Sequence, residues 1–269
     1  NVAWRFYRAH RYPTEKEKIF DPYIAFVRYL ATLWDRFPNV VAIELLNEPP
    51  VGGLPYIGDA TKTRTDLWDF YAAVMTELDK GPQIVKAPLV VEDTMGSSLP
   101  PAVDVALQFT HLEALSLKAM AKVGEWSRKG QLIYEFHWYA STLTQASLDK
   151  YYKGAQTVAY LIGNPPIYLG EFWTPTAKES AEWLGYAISL GIHAATYWQF
   201  VDTNFTGTDG WYIYPPGISK NLFDFTEASE VNWAQWDTYS KSVANNTYWG
   251  AYICGSGGGH MGVLAQVPE

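Results

Sequence analysis

The chain has 269 residues and a formal net charge of −8, with 48% hydrophobic and 18% charged residues. That is enough for one barrel-sized domain with a full core, and it excludes a disordered polymer. The acidic balance argues against nucleic acid or an anionic membrane surface as the main partner.

No apolar run approaches the roughly 20 residues that span a bilayer, so no membrane span is expected. The opening Asn1-Val2-Ala3-Trp4-Arg5 is not a signal peptide, and any leader is expected to have been removed. Cys254 is the only cysteine, so no intrachain disulfide is available. Asn204-Phe205-Thr206 and Asn245-Asn246-Thr247 fit the N-glycosylation triplet and lean toward an extracellular, secreted protein. Twelve Trp and 19 Tyr exceed ordinary usage; such rings fill cores, and they also make flat platforms for sugar faces.

Residues 1–20 are mixed, basic and aromatic and carry no clear pattern. A helix over 21–37 is expected next, with Asp21 as cap, Pro22 first, and Ile24, Val27, Leu30 and Trp34 as its stripe. The apolar run 40–46 predicts a short strand, stopped by Asn47-Glu48-Pro49-Pro50. A helix over 65–78 has Leu67, Tyr71, Val74 and Leu78 in register, with Gly81-Pro82 as its stop. A strand over 87–92, a helical region over 103–122 ending at Gly124, and a strand over 132–137 follow. Then come a helix over 148–162 closed by Gly163-Asn164-Pro165, a strand over 167–170, a helix over 178–190 closed by Gly191, and a strand over 193–200. A Gly-, Asn-, Pro- and Tyr-rich loop covers 202–222, and a last helix lies near 233–244. This alternation calls for an α/β fold with a parallel sheet and right-handed crossovers, spread over one domain at 1–250. Residues 251–269 form a Gly-rich tail, in which 255–261 is either a natural turn or an appended linker.

Catalytic groups of an eight-stranded α/β barrel come from the C-terminal ends of its strands. Four strand ends here carry polar or aromatic groups: Asn47-Glu48, His137-Trp138-Tyr139, Glu171 and Tyr197-Trp198-Gln199. Two facing carboxylates suit glycosidic cleavage, one protonated to help the leaving oxygen and one ionised to attack the anomeric carbon. Tyr139 is placed to hydrogen-bond the nucleophile, Asn47 to hold a 2-hydroxyl and Trp198 to stack beneath the sugar. Trp138, Trp173, Trp211 and Tyr212 are candidates for further subsites or for core and surface roles. Glu92-Asp93 is the competing carboxylate pair, expected as loop capping or a cleft rim. Glu44 and Glu135 are expected to pair with a basic group outside the barrel.

These motifs resemble glycoside hydrolase family 5, whose members are retaining (β/α)8 TIM barrels. Leu45-Leu46-Asn47-Glu48-Pro49 is similar to the family's fourth-strand motif, His137-Trp138-Tyr139 to the sixth, Gly170-Glu171-Phe172 to the seventh and Tyr197-Trp198 to the eighth. The resemblance covers about residues 20–200 and implies Glu48 as acid/base and Glu171 as nucleophile. Asn47, His137, Tyr139, Trp198 and Trp173 then bind substrate, and no metal or organic cofactor is implied. The substrate class implied is a β-linked glycan, or a glycolipid headgroup as in the endoglycoceramidase-like branch. Family members begin with three more βα units, which carry an arginine and a histidine; only about strands four to eight are recognisable here. An N-terminal barrel fragment, a second copy, or residues 1–20 with 250–269 would have to complete the barrel. Two rivals stand beside the hydrolase: a non-catalytic carbohydrate-binding or structural derivative, and one half of a split barrel active only with its complement.

Overall fold

The computed structural model describes residues 2–37, 40–50, 57–80, 85–93, 117–139, 143–172, 177–192, 194–197, 249–253 and 261–265. The expected features at 198–200, 202–222 and 233–244 lie outside them. Helices alternate with parallel strands through residue 197, so the fold is α/β. None of the described helices is long and apolar enough to cross a membrane. The chain divides into two compact units, residues 1–136 with 150–167 and residues 137–149 with 168–269.

In the first unit, strands β1 (Ile43–Glu44), β2 (Leu89–Glu92) and β3 (Leu132–Trp138, whose last two residues belong to the second unit) run parallel. Ile43 pairs with Leu89 and Leu89 with Leu132. The strand expected over 40–46 is therefore cut to two residues. The Leu45 N–H still reaches Val90 O at 3.1 Å, but beyond it the chain is held by side chains instead of by a ladder.

Helix α1 (Val2–Tyr7) and a run of short turns lead into helix α2 (Asp21–Arg36). Asp21 does not cap α2: it has helical φ −64° and ψ −42°, and the chain enters through a π turn at Lys16–Phe20. Pro22 lacks an N–H and its ring crowds the carbonyl four residues back, which the wider π turn relieves. The unpatterned first 20 residues supply core. Phe6 meets Tyr23 at 5.5 Å and 90° and Phe70 at 5.0 Å, and Phe20 meets Phe70 edge-on at 5.8 Å. Aromatic pairs in such tilted and T-shaped arrangements contribute beyond the area they bury.

Helix α3 (Ile57–Leu78) begins eight residues before its expected start and is buried well beyond one stripe. Trp68, Phe70 and Met75 are as fully buried as Leu67, Val74 and Leu78, the burial of a core helix instead of an amphipathic one. Helix α4 (Leu117–Arg128) packs against it.

Gly124, expected to stop a helix, lies inside α4. A Cβ there would sit 3.3 Å from Arg128 Nη1 and 3.6 Å from Ile162 O, so the glycine permits close approach of another segment. Gly130, at φ 69°, is the true stop: its N–H bonds Ser127 O and that of Gln131 bonds Trp126 O. Helix α5 (Gln145–Leu161) ends in the same motif at Gly163, as expected.

The second unit contains strand β4 (Ile167–Phe172, from Tyr168 onward), helix α6 (Ala177–Ser189) and strand β5 (Ala194–Tyr197). β4 and β5 are parallel, and Gly191 at φ 87° closes α6 as expected. On either side of the Gly-rich stretch, strands β6 (Trp249–Ile253) and β7 (Met261–Ala265) pair antiparallel, and β7 also runs antiparallel to β5.

One ion pair fastens α3 to the end of β2. Arg64 Nε donates to Asp93 Oδ1 at 2.6 Å, Trp68 Nε1 donates to the same oxygen at 3.2 Å, and Arg64 Nη2 meets Oδ2. Both side chains are almost wholly buried. Removing one partner strands the other charge in a dry environment, so Arg64→Met is expected to lower unfolding free energy by about 3–5 kcal/mol. The double change Arg64→Met with Asp93→Leu should recover much of that loss. Urea unfolding of the three proteins checks it, and a single variant as stable as the parent would refute it.

Candidate active site

The expected site residues fall in both units. In the first, the chain leaves β1 and passes through Leu45–Pro50, where Asn47 is exposed and Glu48 half-buried. Three side chains from three elements hold this backbone. Tyr23 of α2 donates to Leu45 O at 2.7 Å, Tyr7 of α1 donates to Pro50 O at 3.3 Å, and the Glu48 N–H donates to Glu92 Oε2 at 2.6 Å. Between these holds Glu48 takes a φ of 41°, a left-handed conformation that costs a residue with a Cβ about 1–2 kcal/mol.

Glu92, the last residue of β2, is completely buried. Of the two roles expected from sequence it is the loop cap and not the cleft rim, since it holds the Glu48 N–H, while Asp93 is the buried partner of Arg64. Tyr71 of α3 donates to Glu92 O at 2.9 Å. The register places Glu92 beside Glu135 of β3, which is also buried. Glu44 of β1, expected to behave like Glu135, is instead exposed. Sequence shows a carboxylate at the end of a strand equally well for a rim and for a clamp.

In the second unit, Glu171 is buried near the end of β4. The β4–β5 register shifts between Leu169 and Phe172, the interval that holds Gly170-Glu171. Such irregularities re-aim side chains and recur beside active sites. Tyr139 Oη donates to Glu171 Oε2 at 2.6 Å, a short charge-assisted hydrogen bond. His137 is buried, with Nδ1 3.7 Å from the same oxygen, beyond hydrogen-bond reach. The His137 and Tyr139 rings meet nearly perpendicular at 6.4 Å.

The structure therefore brings His137, Tyr139 and Glu171 together in the second unit, and Asn47 and Glu48 in the first. Trp138 alternates away from this group: it is fully buried, edge-on to Trp183 at 5.0 Å, and donates to Ser147 Oγ at 3.2 Å. It is a core residue. Trp173, Trp198, Trp211 and Tyr212 lie outside the described residues.

The phenols around the Glu48 segment give a pH test. Burial, first, pushes the Tyr7, Tyr23 and Tyr71 hydroxyls above the usual value of 10; the Glu92 charge adds to it for Tyr7 and Tyr71, and the Glu44 charge for Tyr23. A raised folded-state value means the unfolded chain gives up these protons first. Their stabilisation is intact below about pH 10 and is lost as pH rises through the folded values. Absorbance at 295 nm should show at least three tyrosines ionising only as the protein unfolds, while Tyr71→Phe removes one of them. A single reversible titration of every tyrosine near pH 10 without unfolding would contradict this. Comparison with protein-family models, with curated proteins and with solved structures finds no match to this chain.

Proposed function

We propose that this chain is a retaining β-glycosidase that cleaves β-linked glycans or glycoconjugates, with Glu171 as nucleophile and Glu48 as acid/base. The observation that carries the reading is the Tyr139 hydrogen bond to buried Glu171, at 2.6 Å, on a strand end with His137 beside it. This is the arrangement that the resemblance to glycoside hydrolase family 5 implies for a nucleophile. In the same reading β1 to β5 are strands four to eight of a (β/α)8 barrel.

The chemistry follows in two displacements. A Glu171 oxygen attacks the anomeric carbon as the bond to the aglycone oxygen breaks, and the Glu48 carboxyl gives its proton to that oxygen. Glu48, now a carboxylate, takes a proton from water; the resulting hydroxide bonds the anomeric carbon and Glu171 departs as a carboxylate. The β configuration is retained, which requires the two carboxyl groups about 5–5.5 Å apart. Tyr139 holds one nucleophile oxygen so that the other is aimed, and Asn47 and Trp198 serve as sugar contacts.

A 2-deoxy-2-fluoro-β-glycoside with a good leaving group should trap the glycosyl-enzyme, and peptide mass mapping should place the label on Glu171. A label on another residue would overturn the assignment. Labelling only after N-terminal βα units are added in trans would point to a split barrel, and sugar binding without labelling to a binding protein. Tyr139→Phe should lower kcat/KM about 10- to 100-fold, since a hydrogen bond to a charged group contributes about 1.5–3 kcal/mol. An unchanged rate would remove Tyr139 from the site.

A further inference from the structure

The carboxylate that holds the Glu48 amide has no part in the two displacements above. We propose that Glu92 is a positioning residue that fixes the acid/base by clamping the Glu48 backbone in its left-handed conformation, an inference that rests on the glycosidase reading.

Four observations converge on this clamp. Glu92 Oε2 accepts the Glu48 N–H at 2.6 Å, short for an N–H donor. Glu48 sits at φ 41°, which a residue with a Cβ keeps only when its surroundings over-determine it. The flanks are pinned separately, by Tyr23 at Leu45 O and by Tyr7 at Pro50 O, so the strain cannot relax along the chain. Glu92 itself is anchored: its carbonyl accepts Tyr71 Oη at 2.9 Å, and the next residue, Asp93, is locked by Arg64 and Trp68.

Glu92 is fully buried and reaches Glu48 through a main-chain amide, so it acts on the direction of a side chain and not on substrate. If the clamp opens, φ of Glu48 returns from 41° to the ordinary negative region, a swing of roughly 100°. The Cα–Cβ direction turns with it, and a general acid must lie within about 2.6–3.2 Å of the atom it protonates. The nucleophile, carried on β4, keeps its own hydrogen bond from Tyr139. The loss should therefore fall on proton transfer and spare attack.

Two variants separate this role from mere support. Glu92→Leu keeps an apolar volume and removes the acceptor; Glu92→Gln keeps a carbonyl oxygen that can take the amide. Pre-steady-state release of aglycone is compared for a 2,4-dinitrophenyl β-glycoside, which departs without a proton, and for an alkyl β-glycoside, which needs one. Hydrogen exchange at the Glu48 amide is measured on the same proteins by NMR. The expected result for Glu92→Leu is a 100-fold or greater loss with the alkyl glycoside, less than threefold change in the dinitrophenolate burst, and Glu48 exchange at least 100-fold faster. Glu92→Gln should stay within about tenfold of the parent on every readout, the neutral acceptor being weaker but present. Should Glu92→Leu not fold, Glu92→Gln alone must show the same split, a measurable loss confined to the alkyl glycoside.

Equal loss with both aglycones, or a Glu48 amide unprotected in the parent protein, overturns the positioning role. A parent that protects the Glu48 amide in a Glu92-dependent way but releases no aglycone overturns the glycosidase reading, and the positioning role with it, while leaving the backbone clamp standing.

Discussion

Burying a carboxylate at the end of a strand is tolerated only where donors converge on it. Three such carboxylates, at the ends of two strands, meet that constraint in three ways. Asp93 takes a guanidinium and an indole N–H from α3, Glu92 takes the main-chain N–H of Glu48, and Glu171 takes the hydroxyl of Tyr139. The first joins helix to strand, the second shapes a backbone, and the third aims a side chain. Much of the local order around these carboxylates comes from this shared solution.

The solution spends conformational strain where an ordinary strand end would have none. Leu45–Pro50 could leave β1 in relaxed geometry, with Glu48 at negative φ and its amide in water. Instead two phenols and a carboxylate grip it from α1, α2 and β2. Strain of this kind gathers at functional sites, and here it falls on the residue assigned to proton transfer. In the second unit the irregularity lies in the ladder: the β4–β5 register breaks across the residues that include the assigned nucleophile.

Much of this was legible from residue order alone, and the limits have physical causes. Strand ends at Glu171 and His137 follow from short apolar runs that stop at polar groups, and Gly163 and Gly191 were readable as helix stops. Gly124 was misread because a glycine that admits a neighbouring backbone and one that adopts positive φ look the same in sequence; the second was Gly130. Residues 1–20 showed no period because their aromatics are divided among a short helix and several tight turns, none long enough to display one. For Glu92 sequence leaves loop capping and a rim both open, because a pattern gives the end of a strand but not what lies above it. That required Tyr7, Tyr23 and Tyr71, which are distant in sequence and meet only once α1, α2 and α3 have packed.

The central claim is that Glu171 attacks an anomeric carbon while Glu48 first gives and then takes a proton. Proton NMR of the anomeric signal in the first minutes of hydrolysis, before mutarotation, reports it most directly. The account predicts that the sugar released from a β-glycoside appears first as the β anomer and only later drifts to equilibrium. Initial release of the α anomer would require a single displacement by water between carboxylates roughly 6.5–9.5 Å apart, and would contradict it.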